Sequence, residues 1–182
     1  MNSTMICSPF NTSRLERPVR GWLMTTALLL ISALGISAGQ PNGWSKFRGA
    51  FFEIGIPPGF TAKGQPDSAA GQVSAVRMWN AAKKVEFYVF SPQWNGTADA
   101  LSLVPGREVL KSRETKREGK VQVVELEIAA RDGSYTRFVV SRTNDETNTN
   151  LTWGIRVPNM KVYAEVRPTY LRWKETLQQF AD

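Results

Sequence analysis

KVYAEVRPTYLRWKETLQQF, residues 161–180, is the stretch on which the architecture turns. Tyr163, Val166, Tyr170, Trp173, Leu177 and Phe180 recur at alternating steps of three and four, which makes one apolar stripe along a helix. Lys161, Glu165, Arg167, Arg172, Lys174, Glu175, Gln178 and Gln179 fill the opposite, solvated face. Burying six large side chains at roughly 1.5–3 kcal/mol each is a major term for a small domain. The stripe therefore predicts an amphipathic C-terminal helix lying on a sheet. Pro168 interrupts it, losing one hydrogen bond and crowding the carbonyl of Ala164, so a kink or a restart is expected there, with Asn159 as cap of the first turn.

The rest of the chain supplies the sheet. Phe52, Ile54 and Ile56 alternate along a strand that Pro57-Pro58-Gly59 stops, and Phe60 follows as a plug for the end of the core. Residues 63–71 read as a loop, and 72–79 and 85–90 as the next two strands. The second of these is apolar on both sides apart from Glu86, so the far face of the sheet is expected to be covered. A short arm, residues 40–48, carries Trp44 and Phe47 and is the candidate cover.

Residues 91–106 form the longest irregular segment, and such loops are often functional or mobile. Residues 107–120 read as a charged edge strand with six basic and three acidic residues, ending in a turn at Gly119. A hairpin follows. A three-residue loop, Arg131 to Gly133, sets Leu126 opposite Phe138, Val124 opposite Val140 and Glu127 opposite Arg137, whereas a two-residue loop would set apolar residues against charged ones. Residues 143–150 are a polar loop. The strand at 151–157 then places Leu151, Trp153, Ile155 and Val157 on one face.

These elements predict an α+β domain over residues 49–182: an antiparallel sheet of six to seven strands covered by the C-terminal helix, with a three-layer α/β/α sandwich as the fuller alternative. The order of elements, the FEIGIPPGF segment at 52–60 and the terminal helix resemble the PsbP-like superfamily, over residues 47–181. That group includes the extrinsic PsbP subunit of photosystem II and bacterial relatives of the DcrB type, several of them extracytoplasmic. The resemblance implies the fold and no functional residue. The lipid-bearing cysteine of its lipoprotein members has no counterpart at Gln40.

Arg14, Arg17 and Arg20 precede an uncharged run from Trp22 to Ile36, and Ser37-Ala38-Gly39 offers small residues for cleavage. Residues 1–39 therefore read as a secretory signal, with an uncleaved anchor as the rival. Its removal takes three basic residues and one acidic residue from totals of 23 and 16, leaving a net charge of +5. It also removes Cys7, the only cysteine. Disulfides and thiolate chemistry are then excluded from the exported chain, which is expected to be soluble and secreted or periplasmic.

The chain has no histidine, so Ser-His-Asp, Cys-His and histidine-ligated zinc arrangements are excluded. Glu125 and Glu127 read as cross-strand partners rather than an acid-base pair. Asp145 and Glu146 lack the spacing of a calcium loop. The expectation is a non-enzymatic module without cofactor or metal. Its partner surface is the basic run of Arg107, Lys111, Arg113, Lys116, Arg117 and Lys120, suited to an acidic protein or an anionic membrane surface and, with acids interleaved, poorly suited to nucleic acid. The alternative is a small-ligand or glycan site that uses Trp79 and Trp94 as stacking platforms.

Overall fold

The computed structural model describes residues 43–66, 71–92 and 96–180. The expected signal at 1–39, the start of the arm and Trp94 lie outside the described residues. Ten strands and one helix follow in chain order: β1 (Ser45–Arg48), β2 (Phe52–Ile56), β3 (Thr61–Pro66), β4 (Val73–Asn80), β5 (Val85–Phe90), β6 (Glu108–Glu118), β7 (Val121–Ala130), β8 (Thr136–Asn144), β9 (Thr149–Val157), α1 (Met160–Glu175) and β10 (Gln178–Gln179). A single 3-10 turn, Asp99–Leu101, lies between β5 and β6. The large sheet is antiparallel throughout, in the order β3-β4-β5-β9-β8-β7-β6. A small antiparallel sheet, β1-β2-β10, stands beside it.

The helix forms where the stripe predicts it. Asn159 caps it, its side-chain oxygen accepting from Val162 N–H at 3.0 Å. Val166, Tyr170 and Trp173 are buried, and Tyr163 and Leu177 pack against the same cluster. Phe87 lies at the centre of that cluster, with ring centroids 4.6 Å from Phe60, 5.4 Å from Tyr170 and 4.9 Å from Trp173. Pro168 neither ends nor restarts the helix, which runs through it as one element. Both Pro168 and Ala164 are exposed, so water can serve the carbonyl that proline leaves unpaired.

The stripe continues beyond the helix in another form. Thr176 closes α1, its N–H reaching the carbonyls of Trp173 and Lys174, and its hydroxyl accepts from Gly55 N–H on β2 at 2.9 Å. Leu177 and Phe180 therefore flank the short strand β10, and Phe180 N–H donates to the Phe51 carbonyl. A helical spacing was maintained across an element boundary.

Four expectations are corrected. The arm is ordered as β1, and its Trp44 and Phe47 dock on the helix-side core, not on the far face. Residues 63–66, read as the start of a loop, belong to β3, which pairs with β4. The far face is covered by the segment that follows Gly96, through Ala100 and Leu101, so among the described residues no second helical layer completes an α/β/α sandwich. The hairpin takes the other register, with Leu126 opposite Val139, Glu127 opposite Phe138 and Ile128 opposite Arg137.

That register follows from a sheet buried on both faces. Leu126, Ile128 and Val139 enter the far-face cluster with Tyr88, while Phe138 enters the helix-side core and its ring lies 4.9 Å from Tyr163. Apolar residues of the two strands therefore need not share a face. Glu125 and Glu127 oppose Val140 and Phe138 on β8, and Glu114 and Ser112 on β6, so neither meets Arg137. The strand from Thr149 is likewise buried on both sides, with Thr152 and Gly154 as inaccessible as Ile155.

Candidate functional site

Two surfaces carry chemistry: the far face of the sheet beneath the 96–107 segment, and the exposed edge strand β6. On the far face, strand alternation puts Arg137 in line with Val139 and Ser141, an interior position for a charged side chain, and its residue is only 8% exposed. Burial of a guanidinium demands full pairing. Arg137 meets Glu108 through two parallel contacts, Nε to Oε1 at 2.8 Å and Nη2 to Oε2 at 2.7 Å. It also donates to the carbonyl of Ser102 at 2.7 Å and to that of Ala100. Glu108 in turn accepts from Val104 N–H at 2.7 Å and from the Tyr135 hydroxyl at 2.7 Å.

This is a clasp that fastens the irregular segment to the sheet. Burial pushes the Glu108 carboxyl up, but its bonds from Arg137, Val104 and Tyr135 outweigh that and set it at about 2, below the ordinary 4.5. Beside it, Tyr88 lies across Gly154, where a β-carbon would fall 2.3 Å from the phenolic oxygen. Only glycine fits there. The Tyr88 hydroxyl is buried and has no hydrogen-bond partner among the described residues, and burial holds it well above the ordinary tyrosine range despite Arg137 and Arg77 nearby.

The clasp separates shallow clefts. One of about 410 Å³ lies among Ser74, Arg77, Tyr88 and Thr97, and one of about 230 Å³ among Arg77, Tyr88, Glu108 and Arg137. A third, of about 340 Å³, holds Trp79, Tyr135 and Arg156. Arg156 sits 3.8 Å above the Tyr135 ring, and Arg77 pairs with Glu86 at 2.8 Å. Arg77, Glu86, Glu108, Arg137 and Arg156 are thus already engaged. Among the described residues no group of three His, Cys, Asp or Glu side chains is placed to hold a metal.

The predicted basic residues fall at one end of the molecule but do not form one surface. β6 is the last strand of the sheet, and every residue from Leu110 to Lys120 is exposed. Arg107 and Lys120 lie just outside it, and Lys111 occupies a bulge between Leu110 and Ser112. Arg113 and Arg117 oppose Leu126 and Gln122, on the far face. Lys116 opposes Val123, on the helix-side face with Glu114, which opposes Glu125. The period of two sorts the run: arginine on one side, mixed charge with an acidic excess on the other. Arg117 pairs with Asp145 at 2.5 Å and Lys116 with Glu114 at 3.5 Å, while Arg107, Lys111, Arg113 and Lys120 form no ion pair among the described residues.

Of the alternative site, Trp79 is 37% exposed at the end of β4 and lines the 340 Å³ cleft. Glu108, Arg137 and Tyr135 escaped the sequence reading, which treated Glu108 as one of the interleaved acids and Arg137 as a surface partner. The available signal was Arg137 in the alternating row of Val139 and Ser141.

The fold and these two surfaces define an α+β module with one helix against a seven-stranded antiparallel sheet. No protein-family model and no curated protein matches the sequence. Among solved structures, the chain is similar to cyanobacterial PsbP (CyanoP) from Synechocystis, at 11% identity and a TM-score of 0.49 over 78% of this chain and 98% of that one. It is also similar to the Ran-binding protein Mog1p of Saccharomyces cerevisiae, at 11% identity and a TM-score of 0.45 over 75% and 95%. The PsbP-like resemblance thus recurs as a weak match of fold, and it assigns no residue of either surface.

Proposed function

We propose that the protein is a non-enzymatic accessory or assembly module, exported from the cytoplasm, that docks an acidic protein on the basic edge strand β6. The observation that carries this reading is the edge itself: an eleven-residue strand, exposed from Leu110 onward, whose Lys111 and Arg113 form no ion pair among the described residues. A structural edge guarded against aggregation needs charge of any kind. Unneutralised base is better suited to recruiting an acidic surface. Export rests on the N-terminal sequence. Among the described residues no helix is long and apolar enough to cross a membrane.

Affinity capture of partners from the extracytoplasmic fraction tests it. Bound proteins should be released as salt rises from 0.1 to 1 M, over which the Debye length falls from about 10 to about 3 Å. They should also be lost when Lys111, Arg113, Lys116 and Arg117 are all reversed to Glu. Partner retention unchanged by both treatments would overturn the reading. Anionic vesicles run in parallel test the membrane alternative. A second reading, glycan or small-ligand binding, is favoured by half-exposed Trp79 in its cleft beside Tyr135 and Arg156, and a glycan array with the Trp79→Ala variant decides it.

A further inference from the structure

The geometry points to strand addition as the mode of binding: β6 takes an extended peptide with acidic residues at alternate positions, as an eighth strand along residues 112–118. This rests on reading β6 as the partner surface. After the bulge at Lys111, Ser112 to Glu118 pair in unbroken register with Glu127 to Val121 of β7. Among the described residues β7 is their only backbone partner, so the outward N–H and C=O groups are free templates. Proline and a mid-strand bulge, the usual blocks on an edge, are both missing from residues 112–118.

Only charge guards this edge, and charge selects what can pair with it. Arg113 and Arg117 share the far face with Thr115 between them, about 13 Å apart at 3.3 Å per residue. Glu114, Lys116 and Glu118 share the other face, with Glu114 beside Glu125. A guest strand alternates likewise, so its acids should sit on one face four residues apart, one opposite Arg113, which forms no ion pair among the described residues, and one opposite Arg117, which would share its charge between Asp145 and the guest. Neutral or basic residues should occupy the positions between. A uniform polyanion or a lipid surface brings half its charge against Glu114, Glu118 and Glu125. A second copy of this chain brings the same excess of base.

The test uses the ¹⁵N-labelled protein and three short synthetic peptides of Thr, Val and Glu: one with Glu at alternate positions, one of equal composition with its Glu contiguous, and the alternating one N-methylated on its pairing edge. The alternating peptide should bind about tenfold more tightly than either control, as one or two cross-strand ion pairs and the lost ladder would give. Amide shifts and new exchange protection should fall within residues 112–118. The Arg113→Glu, Arg117→Glu variant, changed only at the surface, should prefer a peptide with alternating Lys instead. Equal binding of alternating and contiguous peptides, or indifference to N-methylation, overturns strand addition. If the fourfold charge reversal still releases captured partners in that case, the basic-surface reading survives without it. If capture fails too, both fall.

Discussion

Phe87 and Tyr88 are neighbours on β5, yet they enter cores of different kinds. Phe87 is surrounded by Phe60, Tyr170 and Trp173, a cluster of rings held mainly by apolar contact, in which the Trp173 indole N–H is buried without a hydrogen-bond partner among the described residues. Tyr88 lies against Gly154 beneath a segment held by Arg137 and Glu108. One face is closed by apolar area and the other by a paired charge. The hydrophobic term scales with area and survives changes of pH, whereas a buried ion pair depends on both partners staying ionised. The two sides of a single sheet should therefore fail under different conditions.

Truncating the larger side is the most severe way to test this. Trp173→Ala should cost about 3–5 kcal/mol, the range for a fully buried aromatic, whereas Lys174→Ala, a half-buried residue over the Tyr170 ring, should change stability by less than about 1 kcal/mol. Urea denaturation of both variants at neutral pH measures the difference. A small loss at Trp173 would mean that the helix does not close the core.

The clasp should show itself through acid. Glu108 titrates at about 2 in the folded protein against an ordinary 4.5, so the unfolded chain binds the proton first. Its contribution is present above pH 4.5 and disappears as pH falls toward 2. The shift corresponds to roughly 3 kcal/mol of stability. Glu108→Gln should remove this segment of the pH dependence, while Trp173→Ala should lower the whole curve and leave its shape. Glu108→Ala, which strands Arg137, should cost about 3–5 kcal/mol at neutral pH. Identical pH profiles for wild type and Glu108→Gln would assign the far face to apolar packing after all.

The same contrast explains what the sequence could reveal. Apolar burial leaves a trace, so the helix at 160–175 was legible from its spacing and the strand at 85–90 from its continuous apolar run, while the edge strand was legible from its charge. Polar burial leaves a fainter one, here only the place of Arg137 in the row of Val139 and Ser141. Arg137 and Glu108 lie 29 residues apart and look like ordinary surface charges until the sheet brings them together. With the cover of the far face assigned to the arm and the hairpin read as apolar on one face only, the register that fits a one-sided sheet looked correct. The basic run suffered from a related loss: composition counts charges, but the period of two and the bulge at Lys111 decide which face each one occupies.

Glycine 133 separates the turn from the register it was thought to fix, and it carries the smallest expected effect. Pairing continues through Ala130 and Tyr135, whose backbones are joined at 2.9 Å, so Arg131 to Ser134 form the loop. Within it, Gly133 N–H donates to the Ala130 carbonyl at φ +73°, and Asp132 accepts from both Ser134 N–H and its hydroxyl. Space is not the constraint, because nothing lies within 4 Å of where a β-carbon would be. The cost of a side chain is thus purely conformational, about 1–2 kcal/mol for the left-handed region and toward the upper end for a β-branched residue. Gly133→Val should lower stability by that amount, with Arg131→Val within about 0.5 kcal/mol of wild type. Neither should move the register, because Leu126, Ile128 and Val139 are held in the far-face cluster and Phe138 in the helix-side core, well away from the turn. Cross-strand nuclear Overhauser contacts between Leu126 and Val139 in the Gly133→Val variant check this. Their replacement by contacts of Leu126 with Phe138 would show that the loop, and not the two-sided burial, sets the pairing.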